Sequence, residues 1–155
     1  MQQAEQRPLR IFCKGDRNLN MAVRGDDVIL VPADPNDKSQ HWFQDYDAVG
    51  KLTDDQGHRA FALVNRTTGQ AMVNRDDDVV RLAPYSPHVG VELSMLWSLG
   101  MNLSGGFAEV RTLKDLSRTI NGLNGYVKDG TPIAMYDSEP FSPNAVWKFD
   151  PITDH

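Results

Sequence analysis

With 155 residues, 40% of them hydrophobic, the chain can bury one core but is too short for several domains. A formal charge of −5 speaks against nucleic acid and anionic membranes as partners. A single cysteine, Cys13, excludes an intrachain disulfide and suits a reducing compartment; in its apolar strand it reads as a small buried residue.

The opening "MQQAEQRPLR" has no apolar run of signal-peptide type, so residues 1–8 are expected to form a flexible lead-in and the protein not to be secreted. On that expectation the sequons at Asn65 and Asn102 go unused. Strand patterns then follow in chain order. In the first third these are "LRIFCK", "DRNLNMAV", "LVPADP" and a stretch carrying Trp42. Residues 59–65, "RAFALVN", alternate with the period of two expected of a half-buried strand and open the second third. "RTTGQAMV", "LAPYSP" and a stretch with Trp97 come next. The last third runs "FAEVRTL", "SRTINGL", "MYDSEP" and Trp147. Turn residues bound each run. "VELSMLWSLGM" has room for one turn of helix before its Trp, and "LSMLWSLGMNL" is too short to span a membrane. The acidic runs "GDD" at 25–27 and "DDD" at 76–78 read as solvated turns, since they lack the alternating oxygen ligands and terminal Glu of a calcium loop.

The hexapeptides beginning at residues 30, 82 and 135 recur at a spacing of about 52 residues, and a Trp follows each. An open solenoid of three such units would leave its ends uncapped, whereas three units closing on themselves remove the sheet edges. The reading is an all-β fold, a β-trefoil of pseudo-threefold symmetry with about twelve short strands. Its repeats cover roughly 9–57, 58–104 and 105–150 of one domain at 9–150, with 151–155 as a tail. Pro32 and Pro84 should end their strands, and Trp42, Trp97 and Trp147 should pack in the core.

These residues carry a resemblance. "QHW" at 40–42 resembles the Gln-x-Trp signature of ricin-B-like trefoils, of which "MLW" and "AVW" keep the Trp. "NLNMAVRGDDVILVPADPNDKSQHWFQD", "RAFALVNRTTGQAM" and "VRLAPYSP" with "LWS" look more closely like the Euonymus-type lectin domain of plants. The likeness runs over nearly the whole chain and is strongest in its first two thirds. It implies a carbohydrate-binding protein of cytoplasm and nucleus, of a group tied to abscisic-acid, salt and drought responses. Its partners would be glycans or glycoproteins of mannose or galactose type, with no cofactor, no metal and a monomer or weak dimer.

In ricin-B-like trefoils an Asp, an aromatic and an Asn-Gln pair hold the sugar. In the first third the matching positions are Ala22, Val31, Ser39 and Gln40; in the second they include Met72 or Val73 and Ala83, with Tyr85 two residues on. Only the last third offers suitable groups, Asn121, Tyr136 and Asn144, with Asn124 as a register alternative to Asn121. An amide replaces the usual Asp there, Tyr replaces Trp, and Ala145 replaces the Gln.

No nucleophile elbow, phosphate loop or dinucleotide fingerprint occurs, so the chain is not expected to be an enzyme. His41, His58, His88 and His155 lack metal-ligand spacing, and His41 is expected to face outward. The alternative function is a protein-interaction module, with sugar binding lost and the connections at 44–60 and 86–95 serving as its surface.

Overall fold

Each third of the chain contributes four strands in the computed structural model, which describes residues 7–75 and 77–152. They are β1 (Leu9–Cys13), β2 (Leu19–Arg24), β3 (Asp27–Pro32) and β4 (Trp42–Asp45); β5 (Ala62–Asn65), β6 (Gln70–Val73), β7 (Arg81–Pro84) and β8 (Trp97–Leu99); and β9 (Val110–Thr112), β10 (Arg118–Gly122), β11 (Ile133–Asp137) and β12 (Trp147–Pro151). A short 3-10 turn precedes each Trp strand: Lys38–Gln40, Leu93–Met95 and Pro143–Ala145. The tryptophans are therefore strand residues, and the one helical turn expected in the second third comes just before Trp97. Much of the expected lead-in and tail, with His155 and Asp76, lies outside the described residues.

Six strands close a barrel. β1 pairs antiparallel with β12 and with β4, β4 with β5, and β8 with β9. The two remaining seams are zipped by reciprocal backbone bonds, Phe61 with Trp97 (3.0 and 2.9 Å) and Ala108 with Trp147 (2.9 and 2.8 Å). Closure gives each barrel strand a partner on both sides, which removes the open edge a barrel sheet would otherwise present. The hairpins β2–β3, β6–β7 and β10–β11 cap one end, with bridges from Ile29 to Pro132 and from Val79 to Ala134 linking the third to the other two. The all-β trefoil expected from the sequence is the observed fold.

The three tryptophans fix the register of the repeats. Each indole Nε1 donates to one backbone carbonyl of its own hairpin: Trp42 to Met21 (3.0 Å), Trp97 to Met72 (3.1 Å) and Trp147 to Ile120 (3.1 Å). Ala22, Val73 and Asn121 are thus equivalent, which decides between Met72 and Val73. Across the ladders Val31 faces Asn20, Ala83 faces Ala71 and Tyr136 faces Thr119, so those three are equivalent as well. The indoles are buried with Ile11, Met21, Leu30, Phe61 and Ile120 in one apolar core. Pro32 and Pro84 close β3 and β7 on their exposed ends, where a missing N–H costs no ladder bond.

One orientation differs from expectation. His41 does not face outward; it is 2% exposed, with Nδ1 3.1 Å from Arg66 Nη1. Two bonds draw this turn onto the second repeat, from Arg66 N to His41 O (2.9 Å) and from Asn65 Nδ2 to Ser39 O (2.9 Å).

Candidate functional site

In the third repeat the polar residues singled out from the sequence gather around one turn. Residues 123–125, "LNG", make a 3-10 turn between β10 and β11, with Asn124 in the left-handed region at φ 58°, a conformation Asn tolerates through its short side chain. Tyr136, half-buried on β11, accepts a hydrogen bond at Oη from Asn124 N (2.6 Å) and keeps its own proton to donate. Asn144, in the turn before Trp147, donates from Nδ2 to Gly125 O (3.2 Å). Asn121 is buried at the end of β10, and its Oδ1 accepts from Gly122 N (2.8 Å). Asn124 therefore joins the constellation through its backbone, while its own side chain faces solvent.

Two glycines let these groups approach. A Cβ on Gly15 would lie 2.1 Å from Asn144 Oδ1, so the first repeat's β1–β2 loop presses directly on that amide. A Cβ on Gly122 would lie 1.9 Å from Tyr126 O and 3.2 Å from Thr131 Cγ2. Gly122→Ala must displace the turn and with it the Asn124–Tyr136 bond. We expect a stability loss of about 1–3 kcal/mol by thermal melting, together with a change in the environment of Tyr136.

Tyr126 is the residue that sequence reasoning missed. It is 55% exposed, its N–H closes the turn on Leu123 O (3.2 Å), and Lys128 Nζ sits 5.0 Å from its ring centroid. An aromatic directly after "INGLNG" was the available signal. Its exposed ring offers an apolar face beside neutral amides and a hydroxyl, a combination suited to stacking and hydrogen bonding but not to proton transfer.

The other two repeats have filled or re-used the equivalent space. In the first, Arg24 pairs with Asp37 (2.9 Å) and also bonds Ser39 Oγ. Burial pushes the Asp37 carboxyl up, but hydrogen bonds from Ser39 and Arg24 outweigh it and hold its pKa at about 2. Gln40 is buried, tied to Asn20 Nδ2 (2.8 Å) and Pro32 O (3.0 Å). At the second repeat the corresponding cleft, of about 190 Å³, lies between Asn74 and Asp77 of that repeat and Lys114, Asp115 and Arg118 of the third, with no aromatic ring in its lining. Tyr85 turns away to donate to Asp45 Oδ2 (2.7 Å); burial, and then that carboxylate, push the phenol pKa well up. Among the described residues no group of three His, Cys, Asp or Glu could hold a metal ion.

No family model matches the chain. It is 36% identical over 135 residues to a ricin B-like lectin of Oryza sativa subsp. japonica, a match covering 83% of this chain and 38% of that relative. A second ricin B-like lectin of the same plant is 33% identical over 150 residues, covering 92% of this chain and 72% of the relative. The chain thus spans well under half the length of the first relative and nearly three quarters of the second. The crystal structure of a designed 3-fold symmetric protein, ThreeFoil, matches with a TM-score of 0.70 over 92% of this chain and 97% of that one. At 18% identity this likeness carries the fold alone.

Proposed function

We infer that this chain, which belongs to the ricin B-like lectin family, is a carbohydrate-binding protein with its sugar site in the third repeat. The observation that supports the placement is that Tyr136 and Asn144 both bond the turn at 123–125, next to the exposed ring of Tyr126, with Asn121 buried just before that turn. A pyranose of mannose or galactose type would stack its apolar face on an aromatic ring. Its hydroxyls would be met by the Tyr136 hydroxyl, the Asn124 amide and the free positions of Asn144. Such a shallow neutral site holds one sugar weakly, so useful binding would come from glycans or glycoproteins bearing several copies. The absence of any charged donor–acceptor pair in the constellation fits recognition without chemistry, and we read the protein as non-catalytic. The lone buried cysteine agrees with action in the cytoplasm and nucleus. The Euonymus-type resemblance adds a role in salt and abscisic-acid responses, which a fluorescent fusion followed under salt would check.

Glycan-array binding followed by titration tests the site. Tyr136→Ala should weaken sugar binding by about tenfold, near 1.4 kcal/mol, with the circular dichroism of the fold unchanged. Tyr136→Phe should lose less, because only the hydroxyl goes. Binding that survives both Tyr136→Ala and Asn144→Ala would put the site elsewhere. Absence of glycan binding in the unaltered protein would overturn the sugar reading and leave a protein-interaction trefoil.

A further inference from the structure

A second feature lies on the outer wall of the barrel. β1 and β12 run side by side with Phe12 opposite Lys148. Alternation sends Ile11 and Cys13 into the core and leaves Phe12 on the outer face. There Phe12 packs edge-on against Phe107 at 5.8 Å between centroids, and with Val146 and Leu103 they form an apolar cluster separate from the main core. A groove of about 380 Å³ opens over this cluster, between the loops at 103–107 and 140–143, walled by Leu103, Phe107, Pro140, Phe141 and Val146. Phe141 is 94% exposed at its mouth.

Positive charge collects around it. Lys14 lines the groove. The Arg17 guanidinium stands 5.0 Å over the Phe107 ring, and the Lys148 stem passes the backbone at Gly106, 3.5 Å from where a Cβ would lie. The nearby Asp16 carboxylate is turned back to accept from Asn18 N (2.9 Å). Among the described residues none of Lys14, Arg17 and Lys148 has a carboxylate in ion-pair range. On a chain of net charge −5, one cation thus lines the apolar groove and two more stand against its neighbours Phe107 and Gly106, none with a carboxylate partner among the described residues.

We propose that this groove binds small carboxylates borne on an apolar ring or short chain. The apolar body lies against Phe107 and Leu103, and the carboxylate faces Lys14, with Arg17 over the Phe107 ring adding to the positive charge nearby. A groove of this volume falls at the low end of small-ligand sites, which combine mostly apolar walls with a few polar groups that fix orientation. Lysine meets such an anion as a point charge, so geometry is undemanding and the sign of the charge decides. Phe141, between Pro140 and Pro143, supplies a ring that an apolar ligand would shield from water. The site needs nothing from the third-repeat turn and stands whether or not a sugar binds there.

The test uses the full chain and three probes: naphthalene-2-carboxylate, its neutral amide, and acetate, followed in amide-resolved NMR spectra. Naphthalene-2-carboxylate should saturate with shifts centred on Lys14, Leu103, Phe107 and Val146. The neutral amide should bind the same residues at least about fivefold more weakly, and acetate should leave them unmoved. Lys14→Gln, an exposed change that spares the core, should bring the carboxylate down to the level of the amide and leave the amide unaltered. Phe141→Ala should weaken both naphthalene probes. Equal binding of carboxylate and amide, shifts centred elsewhere, or no saturation up to about 10 mM would each overturn the proposal.

Discussion

Asp54→Ala is expected to remove about 3–5 kcal/mol of stability, the cost of leaving a buried charge without its partner. Asp54 lies in the long connection between β4 and β5, with its side chain fully buried. Its Oδ2 accepts from Ser98 Oγ (2.7 Å) and pairs with Arg111 Nη2 (3.1 Å). Its Oδ1 accepts the backbone N–H groups of Gln56 (2.8 Å) and His58 (3.0 Å). One carboxylate thus ties a surface connection to β8 and β9. Arg111 is itself buried; its Nη1 bonds Gln56 Oε1 (3.0 Å), while its Nε finds no hydrogen-bond partner among the described residues. Truncating Asp54 strands that guanidinium, whereas Arg111→Met leaves the carboxylate three neutral donors and should cost less. The double variant should lose less than the sum of the two, the mark of direct coupling. Denaturant titration of all three measures this, and a loss under about 1 kcal/mol for Asp54→Ala would mean the pair contributes no net stability.

The same carboxylate sets an acid limb. Burial raises the Asp54 pKa, but bonds from Ser98, His58 and Gln56, with the charge of Arg111, outweigh burial and hold it below the ordinary value. A folded pKa below the unfolded one gives stability that is complete above about pH 4 and drains away as pH falls through the folded value. Asp37, held at about 2 by its own partners, contributes in the same direction between about pH 4 and pH 2. The stability gap between the unaltered protein and Asp54→Ala should therefore be constant near neutrality and narrow below about pH 4. A gap that stayed constant through pH 3 would deny the Asp54 shift.

Local, repeated cues were readable from the sequence, and partners far apart in the chain were not. Each third writes the same strand, turn, proline and Trp, and the closed barrel follows because only closure satisfies three sets of edges at once. Asn121, Tyr136 and Asn144 could be singled out because the indole bonds to residues 21, 72 and 120 preserve the register that the hexapeptides imply. Asp54 and Arg111 stand 57 residues apart, and nothing in "TDDQGH" or "EVRTL" marks one for the other. His41 was misread because its burial depends on Arg66 and Asn65 of the next repeat reaching back to the turn. The expected recognition surface at 44–60 contains the buried anchor Asp54, so part of that connection is architecture.

Trp147→Ala should cost about 3–5 kcal/mol as well, the usual toll of emptying a large aromatic site. Unlike the equivalent change at Trp42, it should also damage the candidate sugar site. Both indoles are buried, and both donate to a carbonyl of their own hairpin. The acceptor for Trp147 is Ile120, the residue just before Asn121, and its backbone follows Asn144 by three residues. It therefore holds both polar walls of the third-repeat turn, while Trp42 holds Ala22 and Ser39, which bring neither an aromatic ring nor an amide side chain to a ligand. Because the alanine variants are severe, the milder Trp147→Phe and Trp42→Phe make the cleaner pair for binding. Each removes one indole donor and should lower stability by about 1–3 kcal/mol through the orphaned carbonyl. Matched losses in thermal melts, with weakened glycan titration for Trp147→Phe alone, would place recognition at the third repeat. Equal weakening by both would show that binding follows global stability, and undiminished binding by Trp147→Phe would detach the sugar site from its wall.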